Sequence, residues 1–372
     1  MQIEERYYMS KKGPGVFLAQ IMGDKPPFDT LENVCQYVAS LGYTCVQLPS
    51  WDPRVIDLAK AADSKDYCDE LVGKIISYGL KDGITELATH LQGQLVAVND
   101  AYSELFDGFA APEVRGNKKA RTDWAVQQLR LAIQASNNLG LTAMPSFTGG
   151  LLVPYYYPWP QRPAGLVEEG FAELGRRWIP IFNYANEYNV DVAFELHHGE
   201  DVHDGDSYER FLDVTEGHPR NCINYDPSHF VLMHLDYVSF INVFASRIKA
   251  YHVKDAEYTH TARGSTIGGF QPWVGRAGRF RSLGDGLVDF EAIEDLLLAN
   301  GIKDIPHVLE WECCVKGKAQ GAREGAPFIK ALLEGASLPQ KTDPEPHDDG
   351  AFDDFAKANV DQQLIRRILG IS

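Results

Sequence analysis

The sequence predicts a closed (β/α)8 barrel, and three observations carry that prediction. Short β-rich runs alternate with longer segments whose apolar residues recur at three- and four-residue spacing, and eight such units can be counted. Four runs in the second half of the chain, Ala193-Phe194-Glu195, Ile223-Asn224-Tyr225-Asp226, Ala250-Tyr251-His252 and Val308-Leu309-Glu310, each close on one acid or imidazole. From Glu195 to Asp226 is 31 residues and from Asp226 to His252 is 26, about the length of one strand-plus-helix unit. Parallel barrels bring the carboxyl ends of their strands, and the groups found there, to one face. The last step, 58 residues from His252 to Glu310, contains a Gly- and Arg-rich stretch at 261–286 that reads as a long inserted loop beside that face.

Strands are expected at 16–22, 44–48, 84–88, 142–146, 190–196, 222–226, 248–253 and 307–311. Helices are expected at 30–40, 65–78, 123–139, 167–188, 208–215, 237–246, 290–300 and 324–333. Asp29-Thr30-Leu31-Glu32 and Asp206-Ser207-Tyr208-Glu209 place capping side chains and acids where the positive helix end needs them. Gly42, Gly140 and Gly301 follow three of the helices at the usual C-terminal stop. Insertions at 92–117 and 147–165 follow the third and fourth strands, and the second holds Tyr155-Tyr156-Tyr157-Pro158-Trp159. Loops on this face build substrate walls; the aromatics, Trp159 among them, either stack on the C–H face of a sugar or pack the loop against the rim.

Beyond Gly335 the chain turns Pro- and acid-rich as far as Gly350, then offers an amphipathic stretch at 360–369 with Leu364, Ile365, Ile368 and Leu369. The expected division is a catalytic barrel over 1–337 and an acidic linker with a docking helix over 338–372. A homo-oligomer built through this tail or the barrel loops is expected. The competing architecture is a doubly wound open sheet, but no Gly-x-Gly-x-x-Gly follows the first strand.

Composition narrows the function classes. The chain has 372 residues, 44% of them hydrophobic, enough for one large core, and no 18-residue apolar run that would cross a membrane. Its first residues, Met1-Gln2-Ile3-Glu4-Glu5-Arg6, carry acids where a secretory signal is basic and then apolar, so a cytoplasmic protein is expected. Six cysteines without a CxxC pair fit reduced thiols. A formal charge of −17 repels a polyanion over most of the surface and disfavours nucleic acid as a partner.

Singly, each strand-end group has a plain structural reading: a salt bridge for Glu195, a turn for Asp226 before Pro227, a satisfied core histidine for His252. Their joint occurrence on successive strands points instead to one divalent ion. Glu310 is chosen over Glu312 as the fourth ligand because it lies nearer the apolar run. Three carboxylates and one imidazole favour Mn2+, Mg2+, Co2+ or Fe2+ over the sulphur-rich structural zinc pattern. Mn2+ is the first expectation, with Zn2+ also within range.

The motifs Phe-Glu-Leu-His (194–197), Tyr-Asp-Pro-Ser-His-Phe (225–230), Tyr-His-Val-Lys-Asp (251–255), Leu-Gly-Asp-Gly-Leu-Val-Asp (283–289) and Val-Leu-Glu-Trp-Glu (308–312) resemble the xylose-isomerase-like TIM-barrel superfamily. That superfamily includes sugar isomerases, epimerases and inosose dehydratases. The resemblance spans residues 190–315 and is only architectural before that. It implies that Glu195, Asp226, His252 and Glu310 hold one catalytic cation, and that His90, His197, His229, Lys254 and Glu312 face substrate. The epimerase branch carries an arginine shortly after the histidine ligand, whereas Tyr258 stands six residues beyond His252. Arg263 or another arginine of the inserted loop is the expected substitute.

The implied chemistry is proton abstraction beside a metal-chelated carbonyl of a small carbohydrate, with Glu195 and Glu310 as the acid/base pair. Reprotonation gives isomerisation or epimerisation; expulsion of a β-substituent gives elimination of water or an aglycone from a keto-sugar or 3-keto-glycoside. A DNA-repair endonuclease on the same barrel conflicts with the acidic charge. A non-catalytic sugar-binding subunit is the remaining alternative.

Overall fold

The computed structural model describes residues 12–347 and 361–371. Eight parallel strands share one sheet: β1 (Gly15–Phe17), β2 (Cys45–Pro49), β3 (Gly83–Ala88), β4 (Ala143–Ser146), β5 (Asp191–Glu195), β6 (Asn221–Tyr225), β7 (Ile248–Val253) and β10 (Val308–Leu309). Their order is β3-β2-β1-β10-β7-β6-β5-β4. The two ends meet where the Thr89 amide and hydroxyl both donate to the Pro145 carbonyl, at 2.7 and 3.0 Å, so the sheet nearly closes into a (β/α)8 TIM barrel. The intervening β8 (Asp255–Tyr258) and β9 (Gly278–Arg281) form a separate antiparallel hairpin.

Barrel strands are covered on both faces, which is why they read as apolar runs rather than alternating ones. All of β2, β3 and β6 is buried. Between strands and helices sits an aromatic core in which Trp178 meets Phe194 edge to face at 4.7 Å and Phe194 meets Phe211 at 5.5 Å. Edge contacts of this kind are the favourable geometry for ring quadrupoles.

The elements depart from expectation at their ends, each time for a local reason. β1 stops at Phe17, and a 3-10 turn over Leu18–Gln20 carries Gln20 toward the centre of the barrel mouth. β10 keeps only two residues. The helix Lys118–Asn138 begins five residues before 123 because Asn117 caps it, accepting from the Ala120 amide; Lys118 and Lys119 had masked the apolar rhythm. Gly205–Val214 starts at a capping box between Asp204 and Ser207 rather than at 208. Lys318–Glu334 likewise begins six residues before 324. The 92–117 insertion is a series of short helical turns rather than an extended loop.

After Glu334 the linker is tied to the barrel: Thr342 and Lys316 both bind Glu324, and Gln320 donates to the Asp343 carbonyl at 2.8 Å. The C-terminal helix Gln362–Leu369 touches the 92–117 insertion through Arg367 and Glu104 at 3.0 Å, with Ile365, Ile368 and Leu369 exposed. Among the described residues no helix is long and apolar enough to cross a membrane.

Candidate metal and substrate site

Four barrel strands deliver the four expected ligands to one point. Glu195 is the last residue of β5, His252 lies in β7, and Glu310 follows β10 directly. Asp226 follows β6 and caps the helix Pro227–Met233, its Oδ1 accepting from the Ser228 amide at 2.8 Å. Pro227 sits at the first helical position, where the missing N–H costs nothing, so the turn expected there is a helix start. One ligand atom from each of Glu195, Asp226, His252 and Glu310 lies within 4.8 Å of every other, and all four residues are buried.

The imidazole is aimed by its outer side. Nε2 of His252 donates to Gln47 Oε1 at 3.1 Å, since Gln47 Nε2 is committed to Glu86 Oε2 at 3.2 Å. Nδ1 therefore faces the acids, 2.9 Å from Glu195 Oε2 and 2.8 Å from Glu310 Oε2. Asn224 Nδ2 donates to Glu195 Oε2 at 3.0 Å, and Gln20 Nε2 to Glu310 Oε1 at 2.8 Å. Gln20, Gln47, Glu86 and Asn224 were not expected from the sequence. Their signal was present: each is a polar residue inside an otherwise apolar strand or turn, which burial permits only with a partner.

Electrostatically the cluster is short of positive charge. Burial pushes Glu195 up, but hydrogen bonds from His229, His252 and His90 hold it well below the usual carboxylate range. Burial and the Glu195 charge push Glu310 up, and Lys254 and His252 together overcome them and hold it down. Burial opposes a charged His252, yet Glu310 and Glu195 raise it to about 10. His229 is lifted to about 9 against its burial by Asp226, with Glu195 adding to the effect.

These residues fit a divalent cation. Oxygen and nitrogen ligands about 2.0–2.3 Å from a common centre lie at most about 4–4.6 Å apart, which matches the clustering of these donors. Oδ2 of Asp226 is buried and makes no hydrogen bond, although His229 Nε2 and Lys254 Nζ stand 3.4 and 3.6 Å away. A buried carboxylate oxygen left without a donor is expected where a cation completes it. One nitrogen and three oxygens suit the harder divalent ions.

Above the cluster opens a cavity of about 880 Å³ whose floor includes Glu195, Glu310, Glu312 and Lys254. Lys254 is buried, its Nζ 2.9 Å from Glu312 Oε2 and 3.3 Å from Glu310 Oε2. Burial works against its charge, and Glu310 and Glu312 raise it well above the ordinary lysine value. His90 reaches Glu195 Oε2 at 3.3 Å from the cavity side. His197, kept neutral by burial, lines the same space.

Three residues expected to face substrate lie outside the cavity lining. His229 is fully buried beneath Glu195, at 2.9 Å from its Oε1, and does not line the cavity. Trp159 points to solvent, 77% exposed, because its loop runs along the rim. Rings from other elements, Phe17, Trp51 and Phe147, stand around the floor instead. Arg263 is exposed on the inserted segment; Arg276, also on that segment, lines the cavity.

Residues 35–332 match the family model described as xylose isomerase-like TIM barrel. An inosose dehydratase from Bacillus velezensis is 31% identical over 110 residues, a match spanning 29% of this chain and 36% of that protein's length. Among solved structures, an L-ribulose 3-epimerase superposes with a TM-score of 0.56 at 17% identity, covering 87% of this chain and 95% of the other. A 3-keto-D-glucoside 4-epimerase from E. coli superposes with a TM-score of 0.56 at 12% identity, covering 87% and 98%. Fold, strand-end cluster and sequence match agree: the chain belongs to the xylose isomerase-like TIM barrel family.

Proposed function

We propose that this protein is a divalent-cation-dependent enzyme that moves a proton at the carbon beside a carbohydrate carbonyl, with isomerisation or epimerisation as the outcome. The observation that carries the reading is the pair of carboxylates, Glu195 and Glu310, converging on Nδ1 of His252 at the floor of the cavity. Glu195, Asp226, His252 and Glu310 would hold the ion, Mn2+ first among Mg2+, Co2+, Fe2+ and Zn2+. A cation there supplies Lewis-acid polarisation of the carbonyl, worth several kcal/mol.

The remaining work falls to the chain. Glu195 and Glu310 are both held ionised, so either is ready to accept the C–H proton, and the carboxyl so formed is the acid that returns it to carbon, directly or after the proton has passed to the other carboxylate, an acid/base contribution of roughly 10²–10⁴-fold. Gln20 fixes Oε1 of Glu310, which leaves Oε2 toward Lys254 and His252. Lys254 presents a fixed positive charge to substrate oxygens. His90 and His197 offer ring nitrogens to hydroxyls, and Trp51 and Phe147 shield the floor from water.

Elimination is the second reading. The cavity, at about 880 Å³, is larger than one sugar ring fills, and the matched Bacillus velezensis relative is a dehydratase. A panel of keto-sugars and 3-keto-glycosides in deuterated water with Mn2+ separates the two. Solvent deuterium at carbon with unchanged composition supports isomerase or epimerase; release of water or an aglycone supports lyase. Full turnover in both Glu195→Gln and Glu310→Gln would sink the two-carboxylate mechanism.

A further inference from the structure

The cavity extends well past the acids along a wall that proton transfer does not require. Phe280 of β9 lies with its ring 4.4 Å from Nζ of Lys254. Trp273 packs against Phe280 at 5.1 Å with the rings inclined by 32°, and the Arg276 guanidinium covers Trp273 at 4.1 Å. The contacts run without a break from the reacting end to the mouth, and all four residues line the cavity. Two apolar side chains flank the outer part: Ile267 from the inserted segment, 69% exposed, and Phe109 from the 92–117 insertion, 40% exposed. Both belong to segments added to the basic βα unit.

We infer that this wall is a subsite for a planar aromatic group, so that the substrate is an aryl keto-glycoside whose ketone-bearing sugar ring reaches the acids and whose aglycone lies along Phe280 and Trp273. Cavities of this size enclose ligands well beyond a single sugar ring. Ring faces and aliphatic groups are satisfied by an aromatic partner through burial and stacking. A second sugar in the same place would turn hydroxyls toward Phe280, Ile267 and Phe109, which have no polar atom to pair them, and unpaired buried polar groups are costly. The inference rests on the proposed reaction only for which end of the substrate faces the acids.

Calorimetric titration of the full chain with matched phenyl and methyl keto-glycosides of several hexoses tests it, in the native protein and in Trp273→Ala and Ile267→Ser. Ile267 is exposed, so its variant keeps the fold. The phenyl member of at least one pair is expected to bind about tenfold tighter than the methyl member. That advantage falls to within about threefold in Trp273→Ala and shrinks in Ile267→Ser. No phenyl preference for any hexose, or a preference surviving in both variants, overturns the subsite. Deuterium exchange distinguishes this from the reaction itself: phenyl preference without exchange on any sugar removes the reaction and keeps the subsite, and exchange without preference does the reverse.

Discussion

Replacing Gln47 with Leu tests how the imidazole is aimed. The substitution removes the acceptor that holds Nε2–H of His252 at 3.1 Å and the donor that reaches Glu86 at 3.2 Å, without a large change in volume. His252 and Glu86 are both buried, so each loses a partner that water cannot replace. A buried group left unpaired costs about 1–3 kcal/mol, and loss of a hydrogen bond behind a metal-binding histidine typically weakens the metal by about 10–100-fold. Gln47→Leu is therefore expected to raise the Mn2+ dissociation constant by one to two decades, read by calorimetry on chelator-treated protein, and to lower the melting temperature. Gln47→Glu keeps an acceptor for His252 but sets a second acid against Glu86; it should retain most of the metal affinity while losing stability. An Mn2+ affinity in Gln47→Leu within threefold of the native value, by a threshold of roughly 0.6 kcal/mol, would refute the reasoning.

Four further outcomes follow from the same geometry. Glu195→Gln and Glu310→Gln should each lower turnover by roughly 10²–10⁴-fold while circular dichroism stays native. In metal-free protein the neighbouring acids raise His252 to about 10 and His229 to about 9, above the ordinary imidazole value of about 6.5. Their contribution to stability is thus full below pH 6.5 and is lost as pH rises through about 9 to 10; thermal melts across that range should fall. Mn2+ must displace the His252 proton, so its affinity should climb over the same interval, and a flat affinity profile would contradict the assignment. Trp159→Ala should leave turnover and KM unchanged, because the ring is 77% exposed and outside the cavity.

The convergence of the four strand-end residues was legible along the chain. Glu195, Asp226, His252 and Glu310 each end an apolar run, and the barrel's regular return puts such residues on one face. Gln47 and Glu86 were not legible, because a polar residue in a strand does not disclose that its partner lies 205 or 39 positions away. The placement of Trp159 outside the cavity was hidden for the complementary reason: an aromatic cluster in a long loop specifies surface chemistry but not the direction in which the loop folds. The helix after Asp226 was hidden by Pro227, which permits both a turn and a first helical residue. Periodicity located the helices; their starts depended on capping by Asn117 and Asp204, side chains outside the apolar pattern.

The hairpin is fastened at its root by Asp255, whose carboxylate accepts from the amides of Ala256, Gly284, Gly286 and Val288 at 2.8 to 3.2 Å. A side chain at Gly286 would collide with that carboxylate, so the fastening requires a bare backbone there. Because the knot closes immediately after Lys254, the loop joining the two hairpin strands, between Tyr258 and Gly278, can be exchanged as a cassette without disturbing it. A graft spliced at those two points would change which molecules the barrel admits while leaving its reacting atoms untouched.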